Sequence, residues 1–159
     1  MNKVFFDLEW NTGFLDGNSF DEIIEIGAVK TDEEYRQIDG FRRLIRPVIY
    51  RKMNPYIQKI LAITMKDLQG EEPLAAVAKV FFDWCGDCDT LIAWSGNDFG
   101  VLEKNLAHIG MKIPEQLGRY DVQMAYAYRT ENSIRNYALK TAVEAMELPE
   151  PEGQEYHDA

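Results

Sequence analysis

Three strand-like stretches crowd into the first 46 residues, before any helical pattern begins, and this limits the fold more than any other feature. In Val4–Glu9, the side chains of Val4, Phe6 and Leu8 alternate with those of Phe5, Asp7 and Glu9. Successive side chains on a strand point to opposite faces, so one face here is wholly apolar and the other ends in two acids. Asn11-Thr12-Gly13 is expected to break this strand, and Asp16-Gly17-Asn18 has turn chemistry. Glu22–Lys30 reads as a buried strand through its run Ile23-Ile24-Glu25-Ile26-Gly27-Ala28-Val29. Asp32-Glu33-Glu34 makes a turn, and Phe41–Arg46 is a third strand stopped by Pro47. Strands joined by such short links pair as an antiparallel meander.

Helical spacing then takes over. Asn54-Pro55 opens a short helix and Thr64 caps another. Pro73 stands at a favoured first-turn position for a longer helix through Trp84, with Leu74, Val77, Val80 and Phe81 on its apolar face. Thr90–Trp94 is a fourth strand. Asn97 reads as the N-cap of a helix reaching His108, with Val101, Leu102 and Leu106 turned inward, and Gly110 ends it. Tyr120-Asp121-Val122 is a short strand, followed by a helix to Tyr128 and another from near Ser133 to near Met146. Glu150–Glu155 is a polar loop. The order β-β-β-α-β-α-β-α predicts an α/β fold: an RNase H-like mixed sheet, with an antiparallel three-strand meander, added parallel strands and flanking helices. With 159 residues, no internal repeat and no linker, residues 1–159 read as one domain.

Composition narrows the function classes. Hydrophobic residues make up 46% of the chain, which excludes disorder as the default. The start Met1-Asn2-Lys3-Val4 runs straight into a strand, and no later apolar run is long enough to span a bilayer, so a cytoplasmic protein without membrane attachment is expected. A net charge of −10 argues against strong nonspecific nucleic-acid binding, which depends on Lys and Arg neutralising phosphates. Carboxylates gathered around divalent cations are the exception, because the metals change the local charge. Arg36, Arg42, Arg43, Arg46, Arg51, Lys52 and Lys59 fall in one stretch, either a solvated face or a local track for a polyanion. Cys85 and Cys88 have the spacing of a redox pair or half a zinc site. With only His108 and His157 in the chain, incidental free thiols are the expectation.

Three short constellations carry chemistry. Asp7 and Glu9 are two apart on a strand, about 7 Å along it. From there both can reach one cation, or two cations about 3.5–4 Å apart. The alternative is acids that merely face solvent, against which stands the poor strand propensity of Asp and Glu. Asp98, in Trp94-Ser95-Gly96-Asn97-Asp98-Phe99, sits where a strand hands over to a helix. It is either a cap favoured by the helix dipole or a further ligand, and hard oxygen donors suit Mg²⁺ or Mn²⁺. The last constellation is Tyr156-His157-Asp158-Ala159, where a lone histidine near the terminus, taken alone, reads as an exposed bystander.

Taken in order, Phe6-Asp7-Leu8-Glu9, Ile23–Val29, Arg46-Pro47, Leu61-Ala62-Ile63-Thr64, Gly96-Asn97-Asp98-Phe99 and His157-Asp158-Ala159 resemble the DEDDh exonucleases. That family includes RNase T and the proofreading subunit of DNA polymerase III, and the spacing is most similar to the small RNA-trimming branch. The resemblance implies a 3′→5′ exonuclease acting at the 3′ end of single-stranded RNA or DNA and releasing 5′-mononucleotides. It implies Asp7, Glu9 and Asp98 as ligands of two Mg²⁺ or Mn²⁺ ions and His157 as general base. By the same resemblance Trp10 packs on the terminal nucleotide, Leu61 and Ile63 line a base pocket, and Asn97 lies beside the substrate. A core role for Trp10, Leu61 and Ile63 is the alternative. Glu25 is expected to support the site rather than ligate. The family has an Asp five residues after its His, and this sequence ends two residues after His157. Two expectations follow: a shortened chain lacking a C-terminal helix, or a catalytically deficient relative that binds nucleic acid or protein without cutting.

Overall fold

The computed structural model describes residues 1–131 and 136–149. His157 and the tail from residue 150 lie outside the described residues, as does the expected helix start at Ser133. Five strands form one sheet in the order β3-β2-β1-β4-β5. They are β1 (Lys3–Leu15), β2 (Asn18–Thr31), β3 (Gln37–Leu44), β4 (Thr90–Ala93) and β5 (Gly118–Asp121). The first three pair antiparallel, and β4 and β5 add parallel to β1 on its other side. This is the mixed RNase H-like sheet that the segment order predicts.

Among the described residues, six helices connect and flank the strands: α1 (Pro55–Leu61), α2 (Met65–Leu68), α3 (Leu74–Cys85), α4 (Gly96–His108), α5 (Val122–Glu131) and α6 (Leu139–Ala145). The main core lies on one face of the sheet. Val4, Phe6 and Leu8 of β1 meet Leu74, Val77 and Phe81 of α3 and Val101, Leu102 and Leu106 of α4. A smaller cluster, Ile24, Met53 and Leu68, holds α1 and α2 elsewhere.

The first hairpin is longer than the sequence suggests. Asn11-Thr12-Gly13 does not end β1, which continues to Leu15, and β2 begins at Asn18. Cross-strand pairing carries the chain through these weak strand formers, a tertiary override of propensity. The turn lies at Asp16-Gly17, where both residues adopt positive φ (50° and 80°). That matches the primed turns whose twist suits a two-residue hairpin. Between Glu9 and Trp10 the register shifts: Glu9 faces Glu25 and Trp10 faces Ile23, leaving Ile24 as an extra residue on β2. The bulge sends Ile23 to the main core and Ile24 to the smaller cluster. One inward assignment and one cap also change. Val80 is 51% exposed, and the cap of α4 is Ser95, whose hydroxyl accepts the Asn97 amide at 3.1 Å. Serine competes well for a cap because its oxygen reaches back to the second helical amide.

Candidate active site

β1 is paired with β4 only from Lys3 to Phe5, whereas it runs beside β2 along its whole length. The strands therefore part just before Asp7, at the carboxyl ends of adjacent parallel strands, where open α/β sheets place their sites. Asp7 and Glu9 project from the face of β1 opposite the main core. They line a cleft of about 430 Å³ with Phe5, Glu25, Gly27 and Arg42, closed on one side by Leu61 and Ile63. Asp7 is exposed and Glu9 half-buried. Gly27 faces Asp7 across the β1–β2 ladder and Arg42 across the β2–β3 ladder.

Asp98 comes from the other side of β1. It sits in the first turn of α4 and is 6% exposed. Its carboxylate accepts from the Ser95 hydroxyl at 3.3 Å, and the backbone amide of Leu8 is among the groups that lower its pKa. Burial pushes its pKa above the ordinary value, opposed by these groups. Asp98 is therefore held against the residue between Asp7 and Glu9. Among the described residues, however, no three His, Cys, Asp or Glu side chains gather closely enough to hold a metal ion. The donors fit a hard cation by chemistry, being carboxylate oxygens with one of them in a buried position that an ion would neutralise. The described residues supply them from two sides of a strand rather than as a closed cage.

The other expected site residues separate. Trp10 does not line the cleft: it is half-buried against the main core, on the opposite strand face from Asp7 and Glu9. Asn97 is exposed in the first turn of α4, also outside the cleft. Leu61 and Ile63 do face it, while also packing against the smaller cluster. Glu25 is buried directly opposite Glu9 across the β1–β2 ladder and takes the Arg42 guanidinium, a pairing that alternation along β3 permits. A glutamate in an otherwise apolar strand was the sequence signal for that pair.

The basic stretch does not form one track. Arg42 faces the cleft, whereas Arg43 lies over the Phe41 ring at 5.4 Å, and Arg46 donates to the Glu71 carbonyl at 3.1 Å. Neighbours on a strand point to opposite faces, so sequence clustering is dispersed in space. Cys85 and Cys88 are buried free thiols, and burial pushes Cys85 up to about 12. A protonated buried thiol is a poor nucleophile or ligand, which favours the incidental reading.

The family model for the RNase T-type exonucleases (Exonuclease) matches residues 4–159. The chain is 34% identical over 112 residues to the PolC-type DNA polymerase III of Clostridium perfringens (strain 13 / Type A). That match takes in 69% of this chain and 7% of the polymerase, so the chain spans a small part of that relative. The fold is also that of two kinds of solved structure. The nuclease domain of 3′hExo, a DEDDh family member bound to rAMP, superposes with a TM-score of 0.75 at 16% identity, covering 96% of this chain and 82% of that one. E. coli exonuclease I in complex with a dT13 oligonucleotide gives 0.67 at 18% identity, covering 96% and 37%. The family match runs from the strand that carries Asp7 and Glu9 through the helix that carries Asp98, and this chain belongs to the DEDDh 3′→5′ exonuclease family.

Proposed function

We propose that this chain hydrolyses the terminal phosphodiester at the 3′ end of single-stranded RNA or DNA, in the cytoplasm, and releases a 5′-mononucleotide. The observation that carries this reading is the burial of Asp98 in the first turn of α4, beside the strand segment that carries Asp7 and Glu9. It sets three carboxylates around one short segment of the central strand, in a protein of an exonuclease family.

Each residue then has a role. Asp7, Glu9 and Asp98 would hold two Mg²⁺ or Mn²⁺ ions, which when bound lower the pKa of the attacking water and neutralise the leaving 3′-oxygen. Asp7 and Glu9 sit on a strand paired along its length, so their carboxylates are held rather than searched for. Asp98 is kept dry, and its charged form gains most when a cation arrives. His157 is assigned as the base that takes the proton from water, since an imidazole titrates near neutral pH. As the water oxygen bonds to phosphorus, the bond from phosphorus to the 3′-oxygen breaks and that oxygen leaves with the shortened strand. Leu61 and Ile63 offer an apolar wall to the terminal base, which selects for shape and not for hydrogen-bonding pattern. Asn97, exposed one residue before Asp98 and outside the cleft, would contact the strand beyond its terminal nucleotide.

The test uses the chain with Mn²⁺ and a 5′-labelled single strand. The expected product is a ladder shortened from the 3′ end, abolished by Asp7→Ala. Absence of any shortening at millimolar Mn²⁺ overturns the reading. A second reading, a nuclease fold that binds a strand without cutting, is favoured by the lack of a closed three-acid cluster among the described residues. It predicts binding that Asp7→Ala leaves intact and no metal-induced rise in Tm.

A further inference from the structure

Leu61 and Ile63 pack, with Leu44, Ile57 and Met65, on a small apolar cluster rather than on the main core. No residue of α1 is fully buried, and the cluster beneath it has only three buried members, Ile24, Met53 and Leu68. Ala62, between the two wall residues, adopts φ 54° and ψ 19°, a left-handed conformation that costs a non-glycine residue energy. Such a residue persists only where its surroundings fix it.

The chain leading into α1 is held by polar contacts. Glu22 is 4% exposed, and its carboxylate accepts three consecutive backbone amides, those of Val48, Ile49 and Tyr50, at 2.6, 2.8 and 2.9 Å. Asn11 is 1% exposed and lies two residues beyond Glu9 on the same strand. Its amide donates to the Lys52 carbonyl at 3.1 Å and its oxygen accepts the Asn54 amide at 2.7 Å. Asn54 in turn accepts the Tyr56 amide at 2.9 Å, which caps α1, and donates to the Thr12 carbonyl at 3.4 Å. Two buried side chains on the first hairpin therefore hold the chain from Val48 to Asn54 that leads into α1.

We propose that Asn11 and Glu22 are positioning residues that set the Leu61–Ile63 wall against Asp7 and Glu9, and thereby set affinity for the 3′-terminal nucleotide. Bonds to buried groups are directional, and losing one leaves a donor or acceptor without water, so this anchoring fixes the wall in one place. The inference rests on the substrate role given above to that wall.

Two readouts separate the inference from that role. Hydrogen exchange of the amides in residues 55–61 is measured in Asn11→Ala, Asn54→Ala and Glu22→Gln. The last keeps an acceptor for Val48 and Ile49 and is the milder change. Binding of a short single strand is measured in Ca²⁺, alone and combined with Leu61→Ala. The expected result is faster exchange in α1 with β1 still protected, and about tenfold weaker binding in Asn11→Ala, in line with loss of buried hydrogen bonds. The double variant with Leu61→Ala should bind no worse than Leu61→Ala alone, because both changes act on one wall. Glu22→Gln should fall between parent and Asn11→Ala. Unchanged exchange in α1 overturns the positioning itself. Faster exchange with parental binding overturns its link to affinity. Parent protein that binds no 3′ end overturns the substrate role and this link with it, while the exchange result still judges the positioning.

Discussion

The backbone amide of Leu8, the residue between Asp7 and Glu9, faces the buried carboxylate of Asp98 closely enough to help hold its pKa down against burial. A strand running beside β1 would have taken that amide, but β4 pairs with β1 only as far as Phe5. The gap lets a helix N-terminus deliver a carboxylate to the middle of the sheet. Because that carboxylate is buried, its pKa lies above the ordinary value. A group raised on folding stabilises fully below its unfolded pKa and loses that stabilisation as pH climbs through the folded value. At neutral pH and without metal, ionised Asp98 therefore costs stability. Asp98→Asn should raise Tm in EDTA, since it removes a buried charge. It should also remove any Mn²⁺-induced rise. Thermal scans with and without metal check both; a lower Tm in EDTA would show that the buried charge is already compensated.

A methyl group at Gly13 has no room. Its β-carbon would lie 2.6 Å from two ring carbons of Tyr50, whose hydroxyl is tied to the Phe20 carbonyl at 3.0 Å. Gly13→Ala is expected to lower stability by about 1–3 kcal/mol, the usual cost of overpacking. Urea denaturation measures it. Adding Tyr50→Ala should make the Gly13→Ala step nearly neutral, since the obstructing ring is then gone.

The thiols give a pH signature. Cys85 is pushed up by burial from 9.0 to about 12 in the folded protein. Between those values the unfolded chain releases a proton that the folded chain keeps, so stability falls as pH rises, by about 1.4 kcal/mol per unit at most. Cys85→Ala should flatten the alkaline slope of stability between pH 9 and 11. Neither cysteine should react with a thiol reagent at pH 8 until the protein unfolds. Rapid labelling of native protein would contradict the burial of both.

Leu61 and Ile63 face the cleft from the side of α1. Leu61→Ala should raise KM about tenfold, the scale of a few lost methylenes in a specificity pocket, with kcat changed far less. The metal-induced Tm shift should stay as in the parent. A fall in kcat with constant KM would place Leu61 with the chemistry instead of the wall.

The acids of β1 were legible because a strand has a period of two: Asp7 and Glu9 share a face wherever the strand lies. Asp98 was legible as a residue at a strand-to-helix junction. The order of elements was legible too, because apolar spacing changes from two to about three and a half between Arg46 and Leu74. Trp10 was not, since its placement depends on which face of β1 meets α3 and α4, and a lone aromatic suits either. Asn97 lost its capping place to Ser95 by a contest between two good caps that only backbone geometry resolves. The extended hairpin through Gly13 escaped notice because pairing with β2, remote from local propensity, holds it.

By itself the sequence determined the strand and helix types, the face shared by Asp7 and Glu9, and the donor chemistry of the candidate site. These follow from periodicity and residue type, which are local. Tertiary structure decided that Asp98 would be buried beside Leu8, that Arg42 and Arg43 would part to opposite faces, and that Asn11 and Glu22 would anchor the loop leading to Leu61 and Ile63. Those relations join residues far apart in the chain, and they exist only once the sheet order and the bulge at Ile24 have fixed which backbone groups lie within reach.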